Sequence, residues 1–175
     1  MQQILIGENE AGQRMDKFLM KFMPLAPASF FYKMLRKKNI TLNGKKAEGK
    51  EKLASGDKIS FYLADETISS FQKQQDSAKE YGEAYTQLKG IEVVYEDEHI
   101  VVLNKPEGIL SQKADQSDLS LNEWMIGYLL FCGSLSAEQL STYKPSVCNR
   151  LDRNTEGLVI GAKSLAGSQE MNRLI

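Results

Sequence analysis

Val147-Cys148-Asn149-Arg150-Leu151-Asp152-Arg153-Asn154-Thr155-Glu156-Gly157-Leu158-Val159-Ile160 sets a charged loop between two apolar ends. The segment reads as a strand that delivers Arg150, Leu151 and Asp152 to a polar turn. Gly157 then returns the chain to a second apolar strand over Leu158, Val159 and Ile160. Strand alternation places Arg150 and Asp152 on one face and Leu151 on the other. A carboxylate beside Arg150 and Arg153 stays ionised at neutral pH. That state suits a nucleophile or base, with arginine able to contact phosphate. The same residues also read as an ordinary Arg–Asp pair that pins a turn. Residue chemistry leaves both readings open.

Outward from this loop the pattern is mixed. Ile91 to Glu96 reads as a strand, Asp97-Glu98 as a turn, and His99 to Leu103 as a more continuously apolar, central strand. Asn104-Lys105-Pro106-Glu107-Gly108 is a rigid turn. Ser120-Leu121-Asn122-Glu123 is a capping box that opens a helix with Leu121, Trp124, Met125, Tyr128 and Leu129 on one face. Gly133 closes that helix, and Ser164 caps a last one. Strands and helices follow no regular β-α alternation, so the fold class is α+β. Residues 65–89 are polar and weakly periodic, and read as a linker, with a short helical turn at Tyr81, Tyr85 and Leu88.

The remaining residues, 1–64, form a first module. Ile4-Leu5-Ile6 is a short strand. Met15, Phe18, Leu19 and Phe22 make one helical stripe that Pro24 and Pro27 stop. Ser29 is the expected cap of a second helix, with Phe30, Met34 and Leu35 inward and Arg36-Lys37-Lys38 at its C-terminal end. Ile40-Thr41-Leu42 is a strand, Asn43-Gly44 a hairpin turn, and Ile59, Phe61 and Leu63 the buried side of a further strand.

Composition limits the function classes. The 175 residues include 22 Lys/Arg, 23 Asp/Glu and 42% apolar side chains, which excludes global disorder. No apolar run reaches the roughly 18 residues needed to span a bilayer, so no membrane role is expected. The N-terminus lacks the layout of a secretory signal. Two cysteines, Cys132 and Cys148, form no Cys-x-x-Cys pair, which suits a reducing cytoplasm. The single histidine, His99, cannot build a histidine-rich metal site. No metal and no organic cofactor are expected, and the chain is expected to be a monomer.

The near-neutral total hides an asymmetry. Residues 1–64 hold 12 Lys/Arg against 6 Asp/Glu, a net of +6; residues 65–175 hold 10 against 17, a net of −7. A basic module joined to an acidic one suggests nucleic-acid contact by the basic part. Its candidates are Arg14, Lys17, Lys33, Arg36, Lys37, Lys38, Asn43 and Lys45. Lys33, Arg36 and Lys37 share a helical face suited to a phosphate backbone.

Two resemblances sharpen this. Arg14-Met15-Asp16-Lys17-Phe18-Leu19, Lys33 to Lys38, Ile40-Thr41-Leu42-Asn43-Gly44-Lys45 and Leu53 to Ile59 together resemble the alpha-L-type RNA-binding domain. That resemblance implies that the second helix and the hairpin face structured RNA. The segment Pro27 to Phe31 departs from it, where polar or basic residues are usual. Asn149 to Leu158 resembles the signature loop of RNA pseudouridine synthases, in the branch that modifies large-subunit ribosomal RNA and some tRNA. Val101 to Gly108 resembles that branch's first motif. The expected architecture is an alpha-L domain over 1–64, a linker over 65–89, and part of a mainly antiparallel synthase sheet over 90–175.

The second resemblance implies a reaction. A uridine is flipped out of RNA, its N–C1′ bond breaks, and uracil rotates so that C5 joins C1′. Asp152 matches the essential aspartate, acting at C1′ or on the 2′ proton. Arg150 matches the arginine that fills the gap left by the extruded nucleotide. Lys105 and Pro106 match residues that shape the floor of the site. Asn149 stands where histidine is more usual and Glu156 where a small residue is. The family's later motifs supply a tyrosine that stacks on uracil and a basic partner for the aspartate. Only about 86 residues follow the linker and the chain stops inside a helix, so it is expected to be a fragment that binds RNA but turns over poorly. A non-catalytic RNA-binding module is the alternative, and an adaptor whose basic and acidic halves pair with each other is a third.

Overall fold

The computed structural model describes residues 1–72 and 76–175. The chain divides into two compact units, Met1–Gln74 and Gln75–Ile175.

In the first unit, strand β1 (Gln2–Leu5) leads to helices α1 (Met15–Phe22) and α2 (Ala28–Arg36). Strands β2 (Ile40–Leu42), β3 (Lys45–Lys46) and β4 (Lys58–Phe61) follow, and α3 (Asp65–Phe71) ends the unit. The antiparallel sheet has the order β1-β4-β2-β3. Met15, Phe18, Leu19, Phe22, Phe31, Met34 and Leu35 from the helices meet Ile40, Ile59 and Phe61 from the sheet in one core. The α1 stripe therefore falls where the helical period puts it.

Asn43 and Gly44 both have positive φ, 50° and 72°, and join β2 to β3 with Leu42 opposite Lys45. This is the two-residue turn whose twist matches that of the strands. Helix α2 starts at Ala28 with Pro27 as its cap, two residues before the Ser29 cap expected from sequence. Proline's fixed φ suits that entry. Phe31 is buried and Phe30 only partly so, which turns the helix slightly from the expected face. Ser60 is buried as well as Ile59 and Phe61, so β4, paired on both edges by β1 and β2, does not show the half-exposed alternation expected of it.

The second unit opens with α4 (Asp76–Gln87), then antiparallel strands β5 (Glu92–Glu96) and β6 (Ile100–Lys105). Helix α5 (Leu121–Phe131), strands β7 (Ser146–Val147) and β8 (Gly157–Ala162) and helix α6 (Leu165–Leu174) complete it. The sheet order is β5-β6-β8-β7, so β6 is interior. Val101, Leu103 and Val159 pack with Tyr81 and Ala84 of α4 and Leu121, Trp124, Met125, Ile126 and Leu129 of α5.

The polar stretch 65–89, expected to be a linker, is largely helical instead. Residues 65–71 and 76–87 are helical; residues 73–75 of that stretch lie outside the described residues. Ile68 joins the first core, and Tyr81 and Ala84 join the second. Polar side chains surround these few apolar ones, so the sequence signal is thin although the burial is complete. The cap of α5 also differs. Ser120 hydrogen-bonds the Glu123 carboxylate instead of a backbone amide. Ser164 does cap α6, accepting from the Gly167 N–H at 3.0 Å.

Candidate active-site loop and basic surface

Strand β7 ends at Val147, so Arg150, Leu151 and Asp152 lie on irregular backbone and not on a strand. The alternation survives without the strand. Arg150 and Asp152 are exposed, while Leu151 packs against the core of the second unit. Asn149 replaces ladder bonds with its side chain: its amide oxygen accepts from Ile160 N–H at 2.7 Å and its Nδ2 donates to Leu158 C=O at 3.1 Å. A short polar side chain thus ties the entering segment to β8 where β7 has stopped.

No ion pair joins Arg150 to Asp152, and among the described residues no side chain hydrogen-bonds the Asp152 carboxylate. The loop is pinned by other groups. Lys105, at the end of β6, is fully buried, and its Nζ donates to the carbonyls of Ile109 at 2.9 Å, Pro106 at 3.0 Å and Arg153 at 3.2 Å. Gly108 N–H donates to the Arg153 carbonyl at 2.7 Å, and Gly108 makes that turn with φ of 89°. Ser111 Oγ donates to Leu151 C=O at 2.7 Å and accepts from Leu151 N–H at 3.0 Å. Thr155 N–H closes the turn on Asp152 C=O at 3.0 Å. Gly157 pairs with Lys105 across the sheet, and a Cβ there would come within 3.1 Å of Leu151 Cδ1.

The electrostatics follow from this clip. Burial pushes the Lys105 ammonium below its ordinary pKa, and the nearby negative charge of Asp152 acts the other way. A buried cation without a carboxylate contact is costly, and three carbonyl acceptors offset that cost. The outcome is a rigid loop whose carboxylate is left available at the surface above a fixed positive charge. Such a group can act on an electrophilic carbon or take a proton.

The sequence singled out Arg150, Asp152 and Lys105 but not Ser111 or the Gly108–Arg153 bond. Ser111 lies 40 positions from Leu151, and a lone serine in a polar stretch carries no local signal.

The basic candidates of the first unit divide by environment. Lys17 on α1, Lys33 and Arg36 on α2, Lys37 and Lys38 after α2, and Lys45 on β3 are exposed. Asn43 is committed internally: its side chain donates to Asp57 at 2.9 Å and accepts from Lys58 N–H at 2.8 Å. Arg14 is bound to Asp16, with Nε to Oδ1 at 3.1 Å and Nη2 to Oδ2 at 2.5 Å. Among the described residues no group of three or more His, Cys, Asp or Glu side chains could hold a metal ion, and no helix is long and apolar enough to cross a membrane.

Residues 99–175, which contain the β6 turn and the Asp152 loop, match the family model described as RNA pseudouridylate synthase. Over those residues the chain is similar to RNA pseudouridine synthases. An uncharacterized RNA pseudouridine synthase of Mycoplasma genitalium is 31% identical over 173 residues, covering 97% of this chain and 50% of that protein. The ribosomal large subunit pseudouridine synthase C of Salmonella typhi is 27% identical over 169 residues, covering 97% and 48%. This chain spans about half the length of these family members. The similarity to both includes the basic first unit as well as the loop, since it extends over nearly all of this chain.

Proposed function

We propose that this chain provides the RNA-gripping unit and the aspartate loop of an enzyme that isomerises uridine to pseudouridine in ribosomal RNA. The single observation that carries the reading is the Asp152 carboxylate, exposed and unpaired on a loop that Lys105, Gly108 and Ser111 hold in place. Asp152 acts at the ribose of a flipped-out uridine, by attack on C1′ or removal of the 2′ proton. Arg150 occupies the space the nucleotide vacates. The N1–C1′ bond breaks, C5 bonds to C1′, C5 loses a proton and N1 gains one. The sum is an isomerisation that consumes no co-reactant. Confinement of the cleaved base matters, because free uracil would diffuse away.

The first unit is the alpha-L-type RNA-binding domain of this reading, with Arg14, Lys17, Lys33, Arg36, Lys37, Lys38, Asn43 and Lys45 as its RNA-facing residues. The exposure of the six lysine and arginine residues outside Arg14 supports that role. We place the protein in the cytoplasm, where its two free cysteines stay reduced, and as a monomer on its RNA.

The test is nucleoside chromatography of ribosomal RNA incubated with a longer synthase chain that contains this segment. Pseudouridine should appear, and Arg150→Ala should slow its appearance while RNA is still bound. RNA binding with no isomerisation by that longer chain would leave only the RNA-binding function.

A further inference from the structure

Asp16 is the most thoroughly engaged carboxylate in the first unit. Its side chain is 4% exposed. It accepts from Arg14 through both Nε and Nη2, from the Tyr32 hydroxyl at 3.1 Å and from the Lys17 N–H at 2.8 Å. Arg14, by contrast, is 51% exposed. A buried anion therefore grips one edge of a guanidinium and leaves the opposite edge in solvent. Arginine has five N–H donors, so three remain for a ligand.

The backbone beneath is fixed as well. Residues 12–16 run against 49–53, with Gly12 N–H on Leu53 C=O at 2.7 Å, Leu53 N–H on Gln13 C=O at 2.9 Å, Met15 N–H on Glu51 C=O at 2.8 Å and Asp16 N–H on Gly49 C=O at 2.8 Å. Tyr32 links the same carboxylate to α2. It lies next to Lys33 and one helical turn before Arg36 on that helix.

The charge balance is informative. Arg14 and Asp16 cancel, so the pair adds nothing to the basic field of the unit. Lys17, Lys33 and Lys45 are exposed and make no side-chain bond among the described residues, so they supply bulk attraction to phosphate. A guanidinium with no net field but a rigid direction suits recognition of shape instead.

Resting on the RNA-binding reading above, the geometry points to Asp16 and Tyr32 as positioning residues that aim Arg14 as a fixed two-pronged donor at a phosphate of folded RNA. The lysines around it hold any RNA; Arg14 favours RNA whose backbone is already bent into the right place. Flexible single strands must be ordered to meet it and gain less.

Two charge-based expectations oppose each other, which makes the experiment decisive. Asp16→Asn raises the net charge of the unit by one. If Asp16 only balanced charge, the variant would bind RNA more tightly with a steeper salt dependence. If it positions Arg14, binding of folded RNA weakens. The probes are an RNA stem-loop and an oligouridylate of equal length, titrated against the whole chain over a range of salt, with thermal melts of each variant.

The expected result is that Asp16→Asn and Arg14→Lys each reduce the preference for the stem-loop by about tenfold with the salt slope unchanged, and that Tyr32→Phe reduces it less. Arg14→Lys keeps the charge, and Tyr32→Phe keeps the ring, so they carry the test if Asp16→Asn does not fold. Tighter stem-loop binding by Asp16→Asn, or an unchanged preference in Arg14→Lys, overturns the inference. The control pair Lys33→Glu and Arg36→Glu separates the two levels. If these weaken binding while Arg14→Lys does not alter preference, only the positioning role fails. If they leave binding intact, the RNA-facing surface fails and the positioning role with it.

Discussion

At the residue scale the account turns on two charges that lack the partner an ion-pair reading gives them. Asp152 has no arginine against its carboxylate, and Lys105 has carbonyls instead of a carboxylate. Lys105→Met keeps the length of the side chain and removes the side-chain donor from the Pro106 and Ile109 carbonyls, while Arg153 C=O keeps its bond from Gly108 N–H. It should destabilise the second unit by roughly 2–3 kcal/mol, since each buried unsatisfied group costs on the order of 1–3 kcal/mol. The single tryptophan, Trp124, lies in that unit's core, so denaturant unfolding followed by its fluorescence reads the effect. Asp16 gives a pH dependence. The Arg14 guanidinium chiefly, with Tyr32 and the Lys17 amide, holds its carboxyl below the usual value, against the opposing effect of burial. A depressed carboxyl stabilises the fold above its unfolded pKa of about 4 and loses that contribution as pH falls through its lower folded value. Thermal melts from pH 5 down to pH 2 should show a falling midpoint, and Asp16→Asn should flatten the curve. A curve equally steep in the variant would show that other carboxylates, Glu51 and Asp57 among them, dominate. None of this was legible from the residues alone. Arg14 and Asp16 were in view as neighbours, but Tyr32 meets them only through tertiary packing, 16 positions away.

At the element scale, strong local signals told the truth and weak ones did not. Asn43-Gly44 made the expected hairpin because both residues must take positive φ. Helix α5 and strand β6 followed from long apolar patterns. Helix α4 was hidden in a polar stretch because, among the described residues, few apolar side chains there, Tyr81, Ala84, Tyr85 and the following Leu88, join the core. Strand β7 was shorter than read, since Asn149 substitutes side-chain bonds for backbone ones. Packing of α4 on α5 supplies a further prediction. A Cβ on Gly127 would lie 2.2 Å from the Tyr81 carbonyl and 2.8 Å from Tyr85 Cβ. Backbone cannot yield as a flexible side chain does, so Gly127→Ala should push the helices apart and cost about 1–3 kcal/mol, as overpacked cores do. Far-ultraviolet circular dichroism with denaturant measures it. A wild-type midpoint in the variant would mean that the two helices cross less closely than described.

At the scale of the whole molecule, the basic first 64 residues and the acidic remainder sum to a near-neutral chain. Total charge therefore says little about what the protein binds, and its distribution says a great deal. RNA affinity should fall linearly with the logarithm of salt concentration. Reversing Lys33, Arg36 and Lys37 together should flatten that slope, because each phosphate contact releases counterions. Equal slopes would place the RNA on another surface. The family match rests on the second unit and the salt response on the first, so the two halves are tested by separate observables. The catalytic claim has its own direct measurement: Asp152→Asn in a longer synthase chain containing this segment, assayed for pseudouridine in ribosomal RNA alongside its thermal midpoint. The account predicts that isomerisation is lost while RNA binding and the midpoint stay at wild-type values, because the carboxylate bonds no side chain. Retained isomerisation, or a collapsed midpoint, would contradict it.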